Sequence, residues 1–188
     1  MTSIASEAVV GAEVHRPRRL VLDRAIAGCF GLAAALHVGL GARGLLAGTF
    51  VAILVELAAI DLERRILPNR IVLPSLVAVL GIWLALDASR LAESIVSALA
   101  AGTFLLLPSL ARRGAVGMGA VKLAFLLGAA LGKLVAAALL VGLSAVGGFA
   151  FLLLVARGRS ALRQEIPLGP FLAGGAIVAI LLAAPTAI

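Results

Sequence analysis

The chain has no tyrosine, one tryptophan, one cysteine and two histidines in 188 residues, and each scarcity excludes something. Aromatic residues amount to 4%, which removes the stacking platforms used in single-stranded nucleic-acid binding and leaves a thin interfacial belt. Cys29 alone makes neither an intrachain disulfide nor a thiolate zinc cluster, and it lies in an apolar run that suits a small buried hydrophobe. His15 belongs to a polar amino-terminal tail and His37 to an apolar run. They form no metal-ligand constellation. Charge is also scarce: 13% of residues are charged, against about 25% in soluble domains. What fills the space is apolar, 63% of the chain with a mean hydropathy of +1.19. The bilayer is the expected solvent.

Apolar runs long enough to approach the thickness of the hydrocarbon layer occur at about 25–41, 44–60, 71–87, 91–110, 117–131, 134–156 and 168–187. The expected fold class is therefore all-α, a polytopic transmembrane bundle of about seven spans. Residues 1–24 read as a cytoplasmic tail and 25–188 as a single membrane domain. The formal net charge of +7 is distributed by topology. Arg16, Arg18, Arg19 and Arg24 precede the first span, and Arg64, Arg65 and Arg70 follow the second. Arg112, Arg113 and Lys122 separate the fourth and fifth, and Arg157, Arg159 and Arg163 follow the sixth. Only Arg43, Arg90 and Lys133 fall on the other side. The positive-inside rule then puts the amino terminus in the cytoplasm and the carboxyl terminus outside. Reading the first span as a cleaved signal peptide would spoil this segregation, and nucleic acid is discounted as the reason for the basic excess. The 21 glycines suggest close helix packing through small faces, as at Gly147-Gly148 or Gly174-Gly175.

Ionisable groups at membrane depth are costly, which makes each a candidate for function. Asp61 stands at the end of the second apolar run, followed by Arg64, Arg65, Pro68 and Asn69. Its ordinary explanation is an interfacial salt bridge to Arg64 or Arg65. Glu56 precedes it by five residues, a spacing that puts the two carboxyls on different helical faces. Glu56, His37 and Glu93 read first as interhelical hydrogen-bonding groups. Near the start of the fifth span, Gly114-Ala115-Val116-Gly117-Met118-Gly119-Ala120-Val121-Lys122 lowers helix propensity and lets another backbone approach, although packing alone explains it too. Glu165-Ile166-Pro167-Leu168-Gly169-Pro170-Phe171 leads stiffly into the last span, and its bland reading is a helix start.

In this order, the three stretches resemble those of the type IV prepilin peptidases, membrane aspartic proteases of the Gly-x-Gly-Asp class. Asp61, Pro68 and Asn69 resemble the family's first catalytic aspartate and the Ile-Pro-Asn signature after it, with Leu67 inserted or substituted before the proline. Gly117, Gly119 and Lys122 match the frame Gly-x-Gly-Asp-x-Lys, and Pro167, Gly169, Pro170 and Phe171 resemble Pro-x-Gly-Pro-Phe. The second catalytic aspartate is replaced by Ala120. Aspartic proteolysis needs one carboxyl to activate water and another to polarise the carbonyl and protonate the leaving nitrogen. A methyl group does neither, so the chain is expected to be inactive as written. The intact frame around Ala120 favours a deliberate single replacement over a natural pseudoenzyme that binds prepilins.

The resemblance implies a prepilin or pseudopilin substrate, membrane lipids as surroundings, a site at the cytoplasmic face of the plasma membrane, and no cofactor. With one cysteine and no soluble insertion, the chain looks like the short, peptidase-only branch. The alternative from another class is a small transporter whose path is lined by His37, Glu56 and Glu93.

Overall fold

In hydrocarbon every backbone N–H and C=O must find its partner within the chain, and an Ala- and Leu-rich sequence meets that demand locally as helix. A computed structural model describes residues 24–39, 41–64, 67–111, 116–158 and 166–183, and every element in it is helical. The helices are α1 (Arg24–Val38), α2 (Ala42–Arg64), α3 (Asn69–Leu86), α4 (Ala88–Ala111), α5 (Met118–Leu131), α6 (Val135–Arg157) and α7 (Gly169–Leu182). They fall at the seven expected places. Four helical stretches are long and apolar enough to cross a membrane: Gly44–Arg64, Asn69–Leu86, Ala88–Ala111 and Met118–Arg157. The last of these holds α5, a 3-10 turn at Gly132–Leu134 and α6. Gly132 adopts a φ of +55°, which a helix cannot carry, so α5 ends there. Helices α1 and α7 are shorter.

The chain divides into two compact units, residues 1–56 and 57–188. In the first, α1 crosses the beginning of α2 at two glycines. A Cβ built on Gly31 would lie 2.6 Å from the Gly48 carbonyl oxygen, and one on Gly48 would lie 2.5 Å from that of Gly31. Cys29 is exposed here instead of buried. Apolar character does not separate core from periphery when the surroundings are also apolar.

In the second unit α4 and α5 run antiparallel, and three contacts fix their register. Gly102 faces the Phe125 ring, Gly128 faces the Ser97–Ala98 backbone, and Gly132 faces Glu93. A Cβ on Gly128 would lie 2.5 Å from the Ala98 Cα, so only glycine permits this approach. Helix α3 lies parallel to α5: Asn69 meets Lys122 near their starts, and the Trp83 indole N–H donates to the Ala129 carbonyl at 3.2 Å near their ends. Helices α6 and α7 are antiparallel, with Gly175 against the backbone of Gly142 and the Phe149 and Phe171 rings 5.5 Å apart. Gly147, Gly148 and Gly174 meet nothing within 4 Å, so of the four glycines singled out in the sequence only Gly175 packs, and the close helix approaches fall at other glycines. The core is carried by α5, where Leu123, Ala124, Leu126, Leu127 and Ala129 are fully buried.

Candidate active site

The starts of α3, α5 and α7 and the end of α2 lie at one end of the second unit, and the three sequence motifs lie there with them. Asp61 occupies the last turn of α2 and is only 7% exposed. Among the described residues it is the one charged side chain that is buried. An unpartnered carboxyl so placed would cost several kcal/mol, on the order of an isolated buried polar group or more. Its partner is the Gly169 backbone N–H, which donates to Asp61 Oδ2 at 2.9 Å. Gly169 opens α7, and Pro170 behind it has no N–H to offer. The positive end of a helix thus faces the carboxyl. The expected salt bridge to Arg64 does not form: Arg64 is exposed and the carboxyl is held by backbone instead. Arg65 lies outside the described residues.

Gly169 also answers a steric requirement. A Cβ there would lie 2.5 Å from Asp61 Oδ2, 2.8 Å from Cγ and 2.9 Å from Cβ. The Pro-x-Gly-Pro stretch therefore supplies both the donor and the space that Asp61 needs, and Pro167 sits half-buried just before it.

Pro68 precedes α3 in extended conformation, where its missing N–H is not required. Leu67, which resembled an insertion, is 5% exposed and fills the space left by Gly119: a Cβ on Gly119 would lie 3.2 Å from Leu67 Cβ and Cδ1. Next to this contact, Lys122 Nζ donates to Asn69 Oδ1 at 2.8 Å. Two contacts thus tie the segment after Asp61 to the first turn of α5. Gly117 caps that helix, its carbonyl accepting from the Ala120 N–H at 3.0 Å, and the Ser109 hydroxyl pins the preceding Val116 carbonyl at 3.0 Å. Ala120 is buried, 5% exposed, in that first turn. Gly114, Ala115 and Glu165, which belong to the same sequence stretches, lie outside the described residues.

The other ionisable candidates separate from this site. His37 and Glu56 are exposed and make no hydrogen bond among the described residues, contrary to the interhelical role expected of them. Glu93 does make one: its Oε1 accepts from the Lys133 backbone N–H at 3.2 Å, at the far end of α4 and α5. Nothing in the sequence marked Gly169 as the group touching Asp61, because a backbone N–H has no side-chain signature. The proline after it, which removes the competing donor, was the available clue.

The sequence model of the type IV leader peptidase family matches residues 48–156, a stretch running from α2 to the end of α6. The chain is also similar to the prepilin leader peptidase/N-methyltransferase of Bacillus subtilis (strain 168), 29% identical over 157 residues. That alignment covers 83% of this chain and 63% of the relative, so the chain spans somewhat less than two thirds of the relative's length. No solved structure matches.

Proposed function

The chain belongs to the type IV leader peptidase family, and from that premise we propose that it receives prepilin-like segments at the bundle end carrying Asp61 but does not cut them as written. The observation that carries this reading is the burial of Asp61 against the Gly169 N–H, beside the Leu67–Gly119 and Asn69–Lys122 contacts. A buried carboxyl held by one donor is prepared for chemistry rather than for solubility.

In the complete reaction one carboxyl takes a proton from water, which attacks the scissile carbonyl. The other donates a hydrogen bond to that carbonyl and then a proton to the leaving nitrogen. Asp61 supplies one of these groups and Ala120 withholds the other. An aspartate at position 120 would lie in the first turn of α5, where the helix dipole favours a carboxylate. Glycine at 117 and 119 and lysine at 122 leave the rest of the frame in place, which supports a single replacement in an otherwise competent site. The substrate reading rests on the Bacillus relative, whose name specifies prepilin leaders. The proposed orientation has the amino terminus and the Asp61 end in the cytoplasm, where most basic residues lie, and the carboxyl terminus outside.

The test is to co-express the chain with a prepilin and follow leader removal by mobility shift and amino-terminal sequencing. The unaltered chain is expected to leave the prepilin uncut, Ala120→Asp to cut it, and Ala120→Asp with Asp61→Asn to leave it uncut again. A folded Ala120→Asp protein that crosslinks to prepilin without cleaving it would instead identify a natural, noncatalytic binding protein. Cleavage by the unaltered chain that Asp61→Asn abolishes would refute the inactive reading.

A further inference from the structure

At the opposite end of the second unit from Asp61, a cavity of about 300 Å³ opens between the end of α3, the start of α4 and the turn after α5. Its polar lining is Trp83, Arg90, Glu93, Ser94 and Lys133. The peptidase reading uses none of them. We propose that this cavity binds the headgroup of an aminophospholipid, with the phosphate on Arg90 and Lys133 and the primary ammonium on Glu93.

The two cations are poorly satisfied by the protein itself. Arg90 meets Asp87 only through Nε, at 3.9 Å, and its guanidinium lies 5.3 Å from the centre of the Trp83 ring. A guanidinium carries five donors, so its terminal nitrogens are available to an anion. Lys133 Nζ lies 3.6 Å from Glu93 Oε2, too long for a hydrogen bond, and its side chain is 85% exposed. A phosphodiester between them would receive charge-assisted bonds from both.

Glu93 argues against a plain anion site. An ionised carboxylate has about four acceptor positions, and the contacts of Glu93 here are the Lys133 backbone N–H at 3.2 Å and the distant Nζ. The unused capacity suits a primary ammonium, which donates hydrogen bonds; a quaternary ammonium cannot. The location suits a lipid. Trp83 is an indole near a helix end, where headgroup and hydrocarbon meet, and α3 and α4 expose Leu84, Leu86, Val96 and Leu99 to acyl chains. The volume is at the lower limit of small-molecule pockets, enough for a headgroup and too little for its chains.

Trp83 is the sole tryptophan, so its emission reports on this cavity alone. The purified chain in detergent is titrated with short-chain phosphatidylethanolamine, phosphatidylcholine and phosphatidylglycerol, and separately with inorganic phosphate. Phosphatidylethanolamine is expected to saturate the emission change at about one tenth the concentration needed for the other two lipids, with no saturation by phosphate. Lys133→Ala, at an exposed position, is expected to raise all three lipid midpoints, and Glu93→Gln to remove the preference for phosphatidylethanolamine over phosphatidylcholine. Retained lipid counted by native mass spectrometry on the Lys133→Ala protein gives a second readout, and less phosphatidylethanolamine than on the unaltered chain is expected. Equal midpoints for the three lipids, tighter binding of phosphatidylglycerol, saturation by phosphate at the phosphatidylethanolamine concentration, or an unmoved Lys133→Ala would overturn the proposal.

Discussion

Replacing Gly169 by alanine tests the geometry of the site without requiring any activity. The added Cβ would lie 2.5 Å from Asp61 Oδ2, 2.8 Å from Cγ and 2.9 Å from Cβ. Rotation about χ1 moves the first two atoms away, but the third is fixed to the backbone of α2. One of the two helices must therefore shift, and the 2.9 Å hydrogen bond from the Gly169 N–H stretches with it. Overpacking of this kind costs about 1–3 kcal/mol, and losing a hydrogen bond to a buried charged group about 1.5–3 kcal/mol. One displacement causes both, so they do not add, and about 2–3 kcal/mol is expected for the pair. Alanine also restricts the unfolded chain, which returns about 0.4–1 kcal/mol and leaves a net loss of about 1–2.5 kcal/mol. Unfolding in mixed micelles with increasing SDS, followed by helical circular dichroism, measures this difference. The decisive measurement is a double-mutant cycle with Asp61→Gly, which removes Cβ, Cγ and both oxygens and so relieves the clash. The combined variant should be more stable than the sum of the single losses by about 1–2 kcal/mol. Additivity within about 0.5 kcal/mol would refute the contact between α7 and Asp61.

Two further predictions concern groups on either side of the bundle. The bond from Lys122 to Asn69 is exposed, so Lys122→Met is expected to cost only about 1 kcal/mol, and Asn69→Ala in that background almost nothing more; an additive second loss in the same SDS titration would mean the two do not interact. Asp87 joins α3 to α4 and accepts from the Ser89 hydroxyl and from the Ser89 and Arg90 backbone N–H groups. The Ser89 hydroxyl bond, foremost, holds the Asp87 carboxyl below its ordinary value of 3.8. A depressed folded-state value means that the stabilisation is fully present above the unfolded value and is lost as pH falls through the folded one. The melting temperature of the unaltered protein should therefore exceed that of Asp87→Asn by a constant margin between about pH 5 and 8, and the margin should shrink below about pH 4. A margin that instead shrank above pH 5 would contradict the assignment.

The helices were legible because each is a long apolar run bounded by polar residues, proline or glycine, and the start of α3 after Pro68 and of α7 at Gly169-Pro170 followed from proline chemistry. Which helix faces met was not. In water a helix advertises its buried face by apolar periodicity, whereas here Leu126 is fully buried and Leu140 is 70% exposed with the same side chain. Contact is decided by fit, and glycine alone is an incomplete guide: Gly128 admits the α4 backbone, while Gly147 and Gly148 touch nothing. The site was half legible for the same reason. Asp61 stood out because a carboxyl is expensive in a membrane, and Lys122 and Asn69 because they resembled a motif. Their pairing across 53 residues is tertiary information.

The same limit explains why the far cavity went unseen. Arg90 and Lys133 read as stray cations on the side opposite most basic residues, and Glu93 as a hydrogen-bonding group for some neighbouring helix. The antiparallel register of α4 and α5, set by Gly102 and Gly128, is what brings position 93 beside position 133. That register has a consequence for Ala120. The helix that buries it at one end is held at the other by Gly128 against the α4 backbone and by the Trp83 indole, which donates to the Ala129 carbonyl. Because α5 is a single 14-residue helix with its middle fully buried, it has no joint at which to absorb a change at either end. Loosening the Trp83 hold on Ala129 should therefore be felt at the Leu67–Gly119 and Asn69–Lys122 contacts, and through them at the approach to Asp61.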